Sequence, residues 1–139
     1  MLLASKPSDY AIAPTTELPH VWAVLMEMPV GTGTASLVAV ADGATSMYFS
    51  TGGGIIGGHA HESVRTANRR LLVTVEKLLR GFVAKDAPLP VVPGAISFVV
   101  LTHEGLRVAR DTEERLKTKQ SRLWPVFFSR SPALTWSLP

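Results

Sequence analysis

The segment "VAVADGATSMYF", residues 38–49, restricts the fold of this chain more than any other stretch. Two runs with strand composition flank the pair Asp42-Gly43. A two-residue Asp-Gly loop between apolar runs is a strong hairpin signal, because a type I′ turn needs positive φ at both positions. A hairpin makes its two strands antiparallel. The dinucleotide-binding folds built on parallel strand–helix–strand units are thereby disfavoured.

Upstream, "HVWAVLMEMPV" places Trp22, Val24, Met26 and Met28 on one parity and Val21, Ala23 and Leu25 on the other. A strand apolar on both parities is covered on both faces. "GTG" at 31–33 interrupts the run, and "TASLVAVA" resumes it. Residues 21–51 therefore read as a three-stranded antiparallel meander. After the glycines the period lengthens. Val64, Ala67, Leu71, Val75, Leu78 and Phe82, widened by Leu72 and Leu79, form the stripe of an amphipathic helix of about five turns. Gly81 near its end suits a left-handed cap.

"KDAPLPVVPG" is a proline-rich connection, "AISFVVL" a fully apolar strand, and "THEG" a turn into a returning "LRVAR". Asp111 is placed to cap a short helix, "TEERLKTKQSRLW", with Glu114 in the reciprocal position and Pro125 ending it. The expected fold is α+β: a five-stranded, mostly antiparallel sheet in β-β-β-α-β-β order. One long helix lies on a face, and a short C-terminal helix and tail follow. One helix leaves the second face to be covered by the C-terminal segment, the N-terminal arm or a second copy. The apolar tail, with Phe127, Phe128, Leu134 and Trp136, together with a homodimer contact is the favoured cover.

The chain has 139 residues, enough for one domain, with residues 1–19 as an extended arm and 20–139 as the domain. The arm lacks the basic region and long apolar run of a signal peptide. No window approaches the length of a membrane span. There are no cysteines, which excludes disulfides, thiolate zinc sites and cysteine nucleophiles, and suits a cytoplasmic location. The net charge is +3. Arg65, Arg69, Arg70, Lys77 and Arg80 share a helix with Glu62 and Glu76 and read as its solvated face. No basic stripe of the kind nucleic-acid binding needs is present, so neither nucleic acid nor membrane is an expected partner.

The segment "STGGGIIGGHAH", residues 50–61, poses the functional question. Gly52, Gly54 and Gly57 satisfy G-x-G-x-x-G formally, but the preceding strand closes an antiparallel hairpin. No Gly-Lys-Ser/Thr follows, so a Walker loop is excluded. Glycines ahead of a helix expose main-chain N–H groups, so Gly52, Gly53, Gly54, Gly57, Gly58 and Ser63 are candidate anion or ligand contacts. The alternative is conformational: a pivot out of the third strand, with Ile55 and Ile56 plugging the core. His59 and His61, one residue apart, share a side of an extended segment and with Glu62 are candidate metal ligands, His103 or Glu104 supplying a further one. No cofactor is required by any motif. No nucleophile elbow or carboxylate pair marks an enzyme. Glu113-Glu114 lies where acids suit a helix start.

The hairpin "VAVADGATSMYFSTGGG", the helix "ESVRTANRRLLVTVEKLL" and the second hairpin "AISFVVLTHEGLRV" together resemble the profilin-like group, in particular roadblock and longin modules. That resemblance implies a small domain whose central sheet carries helices. It also implies dimerisation and regulation or scaffolding of small GTPases and motors. The expected function is a non-catalytic interaction or regulatory module acting as a homodimer or with another protein. The second expectation is a small-ligand, anion or metal binder, or an enzyme, using the glycine-rich helix entry with His59 and His61.

Overall fold

The computed structural model describes residues 6–30, 33–50, 54–56, 62–90 and 92–129. Among the described residues there are seven strands: β1 Val21–Val30, β2 Gly33–Val40, β3 Thr45–Phe49, β4 Gly54–Ile56, β5 Val83–Lys85, β6 Ala95–Thr102 and β7 Gly105–Thr112. The helices are α1 Glu62–Lys77, α2 Glu113–Lys117 and α3 Trp124–Ser129. All strand pairs are antiparallel, and the sheet order is β4-β3-β2-β1-β6-β7-β5.

The α+β class and the antiparallel meander stand, but the expected five strands in β-β-β-α-β-β order become β-β-β-β-α-β-β-β. Both added strands are three residues long and lie at the sheet edges. β4 forms inside the glycine segment, where Gly54 pairs with Tyr48 and Ile56 with Ser46. β5 forms where the chain leaves α1 and meets the free side of β7. Such short segments carry no period that a sequence could display. Pairing with an existing edge creates them.

The Asp42-Gly43 turn differs in type from the expectation. Val40 N donates to Ala44 O at 2.9 Å and Gly43 N to Val40 O at 2.9 Å, so the loop has three residues, Ala41, Asp42 and Gly43. Only Gly43 has positive φ, at 101°, and Asp42 does not. This is the type I turn with a left-handed glycine typical of three-residue hairpins. The Asp42 carboxylate accepts from Ala44 N at 2.9 Å. Direction reversal, the part of the inference that decides topology, is intact.

β1 carries a register shift between Val21 and Ala23. The extra residue breaks the alternation. Trp22 joins Ala23 in the core on one face, while Val21 joins Val24, Met26 and Met28 on the other. The expected grouping of Trp22 with Val24 is therefore wrong.

The larger core fills the face under the helices, called here the helix face. Val24, Met26, Leu37, Met47, Ile96, Phe98 and Val100 point up from the sheet. Leu71, Leu72 and Val75 of α1 press down on them. Glu76 holds the end of α1 in place, its Oε1 accepting from His20 N and Val21 N at 2.9 Å each. Beyond Lys77 the chain tightens into a 3₁₀ turn, Leu79–Gly81, and the extended Phe82 buries its ring against Phe98. Gly81 is not left-handed. It is small because a Cβ there would sit 3.3 Å from Leu123 Cδ2 and 3.5 Å from Arg122 Cδ.

The C-terminal helices correct three further expectations. Thr112, not Asp111, caps α2, its Oγ1 accepting from Arg115 N at 3.2 Å. α2 ends at Lys117, because Lys119 takes a left-handed φ of 62° and turns the chain away. Pro125 does not end a helix. It lies in the first turn of α3, where its missing N–H costs no hydrogen bond. Leu116, Leu123, Val126 and Phe127 enter the same core as α1. The described part of the C-terminal segment thus covers the helix face, not the second one. Residues 130–139, with Leu134 and Trp136, lie outside the described residues.

Candidate functional site

Most of the glycine and histidine candidates fall outside the described residues: Gly52, Gly53, Gly57, Gly58, His59, His61 and the side chain of Ser63. Gly54 opens β4, and Glu62 is the exposed first residue of α1, at the end where a carboxylate suits the helix dipole. β3 runs antiparallel to both of its neighbours. The G-x-G-x-x-G spacing therefore lacks the parallel strand that gives a dinucleotide fingerprint its geometry.

His103 and Glu104 form the β6–β7 turn. His103 N donates to His20 O at 2.9 Å, and Glu104 Oε1 lies 2.8 Å from His20 Nδ1. His20 N in turn meets Glu76, fourteen residues beyond Glu62 on the same helix. At the α-helical rise this separates the two ends by about 21 Å. His103 and Glu104 are thus remote from Glu62. Among the described residues, no group of three or more His, Cys, Asp or Glu side chains is arranged to hold a metal ion.

The more informative surface is the second, outer face of the sheet. Register places Ala23, Leu25 and Glu27 of β1, Ser36, Val38 and Val40 of β2, and Ser46 and Tyr48 of β3 on it. Ser97, Val99 and Leu101 of β6 and Leu106 and Val108 of β7 continue it. Cover comes from two irregular segments. Tyr10 and Ile12 of the arm pack against the cluster that holds Trp22, Ala23 and Val40, with the Tyr10 and Trp22 rings 5.8 Å apart. Leu89, from the proline-rich connection, packs into the same cluster as Val99 and Val108. The expectation that the C-terminal tail covers this face is not met by its described residues. The arm and the 86–90 connection do that work.

The cover is incomplete over β1–β3. Leu25 and Val38 are half-buried and Tyr48 is 45% exposed. Glu27, Thr34, Ser36, Tyr48, Phe49 and Ser50 line a hollow of about 340 Å³ beside them. Glu27 is the one charged group on the outer face of these three strands among the described residues. The sequence contained part of this signal: in β3 the alternation sends Tyr48 to the side opposite Met47. It gave no means of telling that the cover would stop short of Tyr48 and leave it 45% exposed.

Among the described residues, no helix is long and apolar enough to cross a membrane. Comparison with protein-family models, with curated proteins and with solved structures finds no match to this chain.

Proposed function

We propose that this protein is a non-catalytic interaction module that pairs with a second copy of itself through the open part of its outer sheet face. The observation that carries the reading is the contrast within that face. One end is closed by Tyr10, Ile12 and Leu89, while Leu25, Val38 and Tyr48 remain in contact with solvent around a single charge. Depletion of charge around an exposed aromatic is the composition of an interface centre. A two-fold axis through such a patch lets one surface serve both partners. The roadblock and longin resemblance points the same way, to dimeric regulators of small GTPases or motors.

Sedimentation velocity on the full chain at micromolar concentration tests the proposal. The expected species is a dimer that Tyr48→Asp with Ser46→Lys converts to a monomer with unchanged circular dichroism. A monomer in the unsubstituted chain, or a dimer that survives both substitutions, overturns it.

A further inference from the structure

We propose that a cleft at the open end of β7, on the side of the sheet away from β4, binds a small polyanion bearing phosphate or carboxylate groups. The cleft measures about 500 Å³, within the range of small-molecule sites, and is lined by Lys85, Arg110, Asp111, Arg115, Ser121 and Arg122 above an apolar floor that includes Val108 and Leu123. Four cations thus face one carboxylate, although the whole chain carries only +3.

Its origin is topological. β5 pairs with Leu106, Arg107 and Val108 and then stops, because the chain turns back through Gly81 into α1. The β6–β7 register, extended by Glu113 N donating to Gly94 O at 3.0 Å, turns the main-chain groups of Leu106, Val108 and Arg110 toward the β5 side. β5 takes the first two. The N–H of Arg110 is left facing the cleft with no partner among the described residues.

The side chains are arranged so that charge is left over. Arg115 Nε donates to Asp111 Oδ1 at 3.0 Å, so this pair neutralises itself. Arg110 Nη1 donates to Pro90 O at 3.0 Å, which anchors the guanidinium at the rim and leaves its other donors free. Lys85 and Arg122 have no ion pair or side-chain hydrogen bond among the described residues. Three uncompensated cations and a main-chain N–H therefore border one cleft at the sheet edge, together with Val108 and Leu123, both buried. A low-dielectric floor strengthens their attraction for an anion. Guanidinium forks suit the planar or tetrahedral oxygens of carboxylate and phosphate. The residues come from positions 85, 110, 115 and 122, which explains why no motif announces them.

The test is isothermal titration of the full chain with inorganic pyrophosphate and, separately, with citrate, at constant ionic strength in chloride. Saturable binding of either anion at submillimolar concentration supports the site. The tighter of the two identifies the phosphate or the carboxylate class. Arg110→Gln with Arg122→Gln should weaken that binding by roughly ten-fold or more. Arg70→Gln with Lys77→Gln, which removes the same charge from the exposed side of α1, should leave it unchanged. Absence of saturation with both anions, or equal loss in both double variants, overturns the proposal. The cleft shares no residue with the Tyr48 patch, so the titration stands or falls apart from self-association.

Discussion

The two faces of the sheet use the same kind of strand and solve burial in different ways. β6 shows it within one element. Ile96, Phe98 and Val100 point to the helix face, and Ser97, Val99 and Leu101 to the outer face, yet all six are buried. On the helix face the cover is regular: α1, α2 and α3 lock large side chains together, including Phe82 edge-on to Phe98 with centroids 6.1 Å apart. On the outer face it is irregular and thin, a few side chains from the arm and the proline-rich connection. Regular cover fills space continuously. Irregular cover closes only what its short segments reach, so the unfinished part of the molecule is on that side.

Pairing a truncation on each face gives the largest contrast. Phe98→Ala should cost about 3–5 kcal/mol, because the helices cannot collapse into the space it leaves. Val99→Ala, one residue along the same strand, should cost about 2 kcal/mol or less beneath a cover that can settle. Denaturant melts of both variants check this, and equal losses would abolish the distinction.

Asn68 sharpens the contrast next. It is a buried polar residue of α1, and its Nδ2 lies within hydrogen-bond distance of Val40 O at 3.2 Å, Ala44 O at 3.0 Å and Thr45 Oγ1 at 3.0 Å. It ties the helix layer to the β2–β3 turn. Asn68→Leu takes one donor from each of these acceptors, of which Val40 O and Ala44 O keep a main-chain N–H, and should cost about 2 kcal/mol. Faster amide exchange at Gly43 and Ala44 would locate the loss.

Tyr10→Ala removes the arm ring from Trp22. The expected cost is about 1–2 kcal/mol, with a red-shifted Trp22 emission as the outer face wets. The smallest effect concerns Asp111, where β7 meets α2. Partial burial pushes its carboxyl up, but hydrogen bonds from Ser121 and from Thr112 N–H, with Arg115 beside it, outweigh burial and hold it below the usual value. A depressed carboxyl contributes stability present above its unfolded value and lost as pH falls through the folded one. Asp111→Asn should therefore cost about 1 kcal/mol at neutral pH, and the deficit should close in acid. Thermal melts across the acid range check the sign.

Some of this was readable in the residues. The alternation of Met26 and Met28, the apolar run of β6 and the spacing of Leu71, Leu72 and Val75 are long signals, and each element formed, although α1 stops at Lys77, short of the Leu78, Leu79 and Phe82 that the stripe included. Short or conformational features were not readable. Lys119 ends α2 in a left-handed conformation that glycine would have advertised. Gly81 looked like a cap and is instead a contact with Leu123. The bulge at Trp22 inverted two side chains without altering the composition. As to sites, the segment that looked chemical lies mostly outside the described residues, whereas the basic cleft joins four cations no two of which lie within four residues of each other in the sequence.

What the amino-acid order determined alone is local and directional. Asp42-Gly43 reverses the chain, two-sided apolar runs make strands that must be buried on both faces, and a 3.6-residue period makes the long helix. The tertiary structure alone decided which segment covers which face, where β5 stops along β7, and which charges are left without partners. The physical reason is range: turns and periods are fixed by neighbours a few residues away, while cover and charge pairing depend on groups brought together from distant parts of the chain, which have no relation to one another until the sheet exists.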